Sequence, residues 1–142
     1  MVEAFSIRGL GLLAASWERD PPFPGDARFG ASIRQYRANL IEKYSKAGNE
    51  APTPDIATWF KAQRESNGKG GLSIALGPAI VVILAELERD NACVEDLGAL
   101  NRWAGRGGVP VEDYLALWKN SCKEVGAPGQ LPPRLRSLFG LA

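Results

Sequence analysis

Apolar residues recur along this chain with the period of α-helices, and proline and glycine punctuate them. The first segment, Val2–Arg19, sets Phe5, Leu12, Leu13 and Trp17 among small residues, which predicts a helix weakened by Gly9 and Gly11. Pro21, Pro22 and Pro24 stop it, because proline lacks the donor N–H and clashes with the preceding turn. From Asp26 a stripe of Phe29, Ile33, Tyr36, Leu40 and Tyr44, three or four apart, predicts a second helix closed by Gly48 and Asn49. Thr53 as N-cap, Pro54 at the first helical position and Asp55 in the first turn open a third. It turns Ile56, Trp59 and Phe60 inward and ends near Ser66.

The run SNGKGG at residues 66–71 reads as a loop, and the most hydrophobic stretch of the chain follows, GLSIALGPAIVVILAELERD. Its apolar residues cover all sides of a helix, which fits a central element packed by several neighbours. Pro78 either begins that helix behind a Gly77 cap or kinks a longer one. The β-branched residues at 80–83 also suit a strand, but AELERD continues as helix and no second strand-like run exists to pair with it. Asn91 is placed to cap a helix with Val94, Leu97, Leu100 and Ala104 on its apolar side, closed by Gly105, Gly107 and Gly108. Pro110, Glu112 and Asp113 open another, with the stripe Val111, Tyr114, Leu115, Trp118, Cys122 and Val125 and a stop at Gly126-Ala127-Pro128. Pro132 and Pro133 introduce a last short helix carrying Leu135, Leu138 and Phe139. The expected fold is all-α, a compact bundle of six or seven helices in a single helical domain over residues 1–142.

Composition narrows the function. Histidine is absent, which removes the commonest general base, histidine-based nucleophile systems and most zinc chemistry. Cys93 and Cys122, distant in sequence, suggest neither a disulfide framework nor a metal site, and Cys122 in an apolar stripe reads as a small buried hydrophobe. The Gly68-Lys69 pair lacks the phosphate-loop pattern: Gln63 stands where the first glycine belongs and Gly70 where the hydroxyl belongs. Glu86 with Glu88, and Glu95 with Asp96, point in different directions on a helix, and Glu112 and Asp113 are accounted for by a helix N-terminus. No cofactor, no metal and no enzymatic activity are expected. Glu3 and Arg8 interrupt the apolar N-terminus, so no leader peptide is expected. The longest uncharged stretch, 16 residues, is too short for a bilayer. The expected setting is cytoplasmic, without membrane contact.

The basic residues carry the functional signal. The net charge is only +1, but residues 28–69 hold an excess of four positive charges, while acidic residues gather near 86–96 and 112–113. Arg34 and Arg37 sit three apart, as do Lys61 and Arg64, with Lys43, Lys46 and Lys69 along the same stretch. On a wheel begun at Arg28, Arg37 falls at about 180°, inside the apolar arc, so it must snorkel or meet a polar partner outside the fold. A stripe of this kind can follow a phosphate backbone irrespective of base sequence. Trp59, Trp103 and Trp118 lie on or beside apolar helix faces, which suits core packing more than base stacking.

Two segments, FGASIRQYRANLI at 29–41 and NGKGGLSIALGPAIVVILAEL at 67–87, resemble the small helical subunits of CRISPR effector complexes, especially those of the RNA-targeting type III class. The first is similar to that family's basic helix, the second to its glycine-leucine lead into a very apolar helix. The resemblance implies a non-catalytic subunit that stacks with copies of itself along a guide RNA and its target. Backbone contacts to RNA or single-stranded DNA would fall to Arg34, Arg37 and Lys43, with Lys61, Arg64 and Lys69 by proximity. The alternative is a protein-binding adaptor or scaffold of phage or plasmid origin, whose arginines solubilise the surface or anchor an interface. A small enzyme working through carboxylates alone is a third reading, disfavoured because no acid–base pair converges.

Overall fold

A computed structural model describes residues 1–26, 28–46, 55–66, 76–103 and 108–141. Among them every regular element is a helix: α1 (Val2–Arg19), α2 (Arg28–Lys46), α3 (Ile56–Ser66), α4 (Gly77–Arg89), α5 (Asn91–Glu95), α6 (Val111–Val125) and α7 (Leu131–Leu138). A 3₁₀ turn at Asp96–Ala99 follows α5. The all-α class and the helix count expected from the periodicity are both present. By contact the chain divides into two units, one of Met1–Ala51 with Leu72–Ala85, the other of Pro52–Gly71 with Glu86–Ala142.

The first unit is built on the antiparallel α1–α2 hairpin. The backbones of the two helices approach closely. A Cβ on the buried Gly30 would stand 2.8 Å from the Glu18 nitrogen and 2.9 Å from the Ala14 carbonyl oxygen, so only glycine fits. Ala4, Ile7 and Ala14 are buried along this close approach, while Val2, Phe5, Leu12 and Leu13 are turned out. The same holds on α2, where Phe29 and Tyr36 of the expected inward stripe are exposed. Phe29 instead joins an aromatic cluster with Trp17 and Phe23, at centroid distances of 6.1 and 6.0 Å. Polar ties fasten the hairpin: Tyr44 Oη donates to Glu3 Oε2 at 3.3 Å. Ala79, Ile83 and Leu84 of α4 are buried, and α4 begins at Gly77 with Pro78 in its first turn, so among the described residues proline starts this helix.

The second unit is organised by one carboxylate. Asp96, fully buried, accepts hydrogen bonds from the backbone N–H groups of Gly129 (2.6 Å to Oδ1), Gln130 and Leu131 (both 2.7 Å to Oδ2). It thereby caps the N-terminus of α7 from a distant point in the chain. Its carbonyl oxygen accepts from Trp118 Nε1 at 2.7 Å, which ties α6 to the same turn. This need corrects the expected register after α4. The residues turned inward are Cys93, Asp96 and Ala99, and Val94, Leu97 and Leu100 are only half-buried. The cap of α5 is also displaced by one residue, since Asp90 rather than Asn91 accepts from the Ala92 N–H at 3.0 Å. Arg134 of α7 is a second hub, donating to Asp90 Oδ2 and Gln130 Oε1 at 2.7 Å and to Cys93 Sγ at 3.1 Å. Gly126 ends α6 in the left-handed region at φ 73°, and Ala127 N–H donates to the Cys122 carbonyl at 2.9 Å, as the proline and glycine signals foretold.

Candidate functional site

The α3 start signal is shifted along the chain. Thr53 and Pro54 lie outside the described residues, and the capping is done by Asp55, whose Oδ1 accepts from the Thr58 N–H at 2.7 Å and whose Oδ2 accepts from Thr58 Oγ1 at 2.8 Å. The Thr58 N–H above all holds the Asp55 carboxyl below its usual range. This cap orients the first turn of α3 so that Thr58, Lys61 and Glu65 share one flank of a cleft. Glu112 of α6 and the residues that follow α7 form the rest, enclosing about 740 Å³ within the second unit. Phe60 stacks on Phe139 with ring centroids 4.5 Å apart and planes inclined by 24°, giving the cleft an aromatic wall. Gly140, at φ 62°, folds the chain end back over Ala57.

Two of the six candidate cations meet in this cleft. Lys61 is exposed along its rim. Arg64 is half-exposed and donates to Glu112 Oε1 at 2.5 Å. The Glu112 carboxyl is held low first by its own backbone N–H at the start of α6 and next by Arg64. The cleft therefore combines the exposed ammonium of Lys61 and the guanidinium of Arg64 with two carboxylates, Glu65 and Glu112, and the half-buried ring of Phe60, whose stacking partner Phe139 is buried.

The candidates on α2 have other duties. Arg34 makes a two-point contact with Glu18, Nε donating to Oε1 at 2.8 Å and a terminal nitrogen donating to Oε2. That contact lowers the Glu18 carboxyl and raises the guanidinium. Arg37 Nε donates to the Ile7 carbonyl of α1 at 3.2 Å, lying across Gly11, where a Cβ would come within 3.0 Å of it. The polar partner demanded by its place in the apolar arc is thus found inside the hairpin rather than outside it. Lys43 is exposed near the end of α2. Lys69 lies outside the described residues. Arg34, Arg37 and Lys43 belong to the first unit, Lys61 and Arg64 to the second.

Sequence reasoning passed over Phe139 and Glu112 as site residues, because nothing local connects them with α3. Of the tryptophans, Trp59 and Trp118 are core residues, 3% and 0% exposed, and half-buried Trp103 packs edge-on against Tyr114 at 5.0 Å. Both cysteines are buried and reduced, and burial pushes the Cys122 thiol up to about 11 and the Cys93 thiol in the same direction, which suppresses thiolate chemistry. Among the described residues no group of His, Cys, Asp or Glu is placed to hold a metal ion. None of the described helices is long and apolar enough to cross a membrane. No family model, curated protein or solved structure matches the chain.

Proposed function

We propose that the chain is a non-catalytic helical subunit of a nucleoprotein assembly, contacting a nucleic-acid backbone through the α3 cleft. The observation that carries this reading is the meeting of Lys61 and Arg64 with the half-buried ring of Phe60 in one cleft. Phosphates attract cations whatever the base sequence, and every base offers a flat face to an aromatic ring. The resemblance of residues 29–41 and 67–87 to small subunits of CRISPR effector complexes agrees with such a role. In this reading Lys61 meets a phosphate directly, and Arg64 exchanges part of its contact with Glu112 for another. Arg34 and Arg37 hold the α1–α2 hairpin together.

A second reading, a protein-binding adaptor without nucleic-acid contact, draws on the exposed Val2, Phe5 and Leu12. Fluorescence anisotropy with a labelled single-stranded RNA, at several salt concentrations, separates the two. The nucleoprotein reading expects binding whose logarithm falls linearly with log salt. Lys61→Gln with Arg64→Gln should reduce that slope by about 1.4, or about 0.7 for each lost phosphate contact on a single strand. The double variant should keep its helical circular dichroism, because both side chains are substantially exposed. No binding by the parent chain at low salt, or an unchanged slope in the variant, favours the adaptor.

A further inference from the structure

Helix α1 has two faces of opposite design. At 100° per residue, Ala4, Ile7, Gly11 and Ala14 form the face packed on α2. Gly9 marks the opposite face. Within about 60° on either side of it lie Val2, Phe5, Ser6, Leu12, Leu13 and Ser16, with no charged residue among them. Val2 is 76% exposed, Phe5 48%, Leu12 58% and Leu13 37%. Exposed apolar area of this extent, on the order of 400 Å², equals the largest apolar patch of a typical monomer, which is often a functional one.

We propose that this outward face of α1 pairs with the same face of a second copy of the chain, the two helices running antiparallel. The sizes of the residues decide both partner and direction. Val2, Phe5, Gly9, Leu12 and Ser16 recur at spacings of three and four, the pattern of a helix-pairing seam. In an antiparallel pair Leu12 lies over the partner's Gly9, and Phe5 lies over the partner's Ser16. Leu12 and Phe5, the two large residues at the middle of the seam, then each meet a small one. The space above Gly9 is open, with nothing within 4 Å of where its Cβ would be. A parallel pair would set glycine on glycine and phenylalanine on phenylalanine, leaving a void beside a clash. The patch supplies about half of the roughly 800 Å² per partner of a standard stable interface, so the dimer is weak. It rests on α1 alone and does not depend on the nucleic-acid reading.

The test is sedimentation equilibrium of the full chain from about 5 to 300 µM, without nucleic acid. The parent chain should associate reversibly in the micromolar range. Leu12→Asp should be monomeric throughout with an unchanged melting temperature. For direction, Gly9→Cys and Leu12→Cys variants are mixed under mild oxidation. Antiparallel pairing gives the mixed disulfide between positions 9 and 12, whereas a dominant disulfide between two copies of Gly9→Cys overturns the direction. A parent chain monomeric at 300 µM overturns the proposal. So does a Leu12→Asp variant that still associates, or one that loses its fold, since the face would then be covered within the chain itself.

Discussion

Replacing Asp96 by asparagine tests whether one carboxylate organises the second unit. The two side chains are nearly equal in size, so packing is conserved and the change falls on hydrogen bonding. Oδ2 accepts from Gln130 and Leu131 and Oδ1 from Gly129, and an amide has a single oxygen. With that oxygen in the Oδ2 position, two bonds survive as neutral ones and the amide NH2 faces the Gly129 N–H, donor against donor. The opposite orientation loses two bonds, so the first is the better outcome. Bonds to a charged acceptor are worth about 1.5–3 kcal/mol against about 1 for neutral ones, and a stranded donor costs about 1–3. The sum is a destabilisation of about 2–7 kcal/mol. That is a large part of the roughly 5–15 kcal/mol available to a domain. For a chain of this length about 1 kcal/mol moves the midpoint by 2–4 °C, so a fall of at least about 4 °C, and up to about 28 °C, is expected in a thermal scan followed by circular dichroism. Urea unfolding followed by tryptophan fluorescence should show the same loss, because Trp118 donates to the Asp96 carbonyl. Glu95→Gln, one residue away and exposed, is the control and should shift stability by no more than about 0.5 kcal/mol. A variant within 1 kcal/mol of the parent would refute the view that this carboxylate caps α7.

Two further outcomes follow from the packing and the charges. Gly30→Ala should destabilise the α1–α2 hairpin by about 1–3 kcal/mol, read by thermal unfolding, because the new Cβ would meet the backbone of Ala14 and Glu18; an unchanged or raised midpoint would show that the hairpin opens at no cost. Glu18, Asp55, Asp90 and Glu112 all have lowered carboxyl pKa values, so their contribution is present above the unfolded values near 4 and is lost as pH falls through the folded ones. Helical signal should hold from pH 7 to 5 and stability should decline below about pH 4; a decline beginning above pH 5 contradicts the assignment.

Helix positions were legible because their signals are local. Pro78 in the first turn of α4, Pro110 before α6 and Gly126 after it are backbone facts that hold whatever surrounds them. Which face of a helix is buried depends on the neighbour, and there periodicity misled. The stripe on α2 includes Phe29 and Tyr36, yet both are exposed, while Gly30 is the residue buried against Ala14 and Glu18 of α1. Asp96 was invisible for the same reason. A carboxylate beside Glu95 reads as a solvated helix surface until the free N–H groups of α7, more than thirty residues later, are brought to it. Half of the candidate site was legible in the same sense: Lys61 and Arg64 are helix neighbours, whereas Phe139 and Glu112 reach the cleft only through the tertiary fold.

The arginines show why counting charge overstates electrostatic reach. Residues 28–69 carry an excess of four positive charges, but Glu18 holds Arg34, the Ile7 carbonyl holds Arg37, and Glu112 holds Arg64. A guanidinium already engaged must exchange one partner for another, so it adds less to phosphate binding than an exposed ammonium does. Arg34 and Arg64 are exposed but engaged, so Lys43 and Lys61 are the exposed ammonium groups among the candidates in the described residues. Two phosphate contacts give a salt slope of only about 1.4 on a single strand, far too shallow for tight binding by one copy at physiological salt. Joining two copies changes that arithmetic. The second set of contacts becomes intramolecular, at an effective concentration in the millimolar range for short tethers, and overall affinity rises by about 10²–10⁴ without any new contact. In the proposed assembly, pairing through α1 and contact through the α3 cleft would be separable in experiment yet multiply in effect. A Leu12→Asp monomer should keep the salt slope of each site and lose the avidity of the pair.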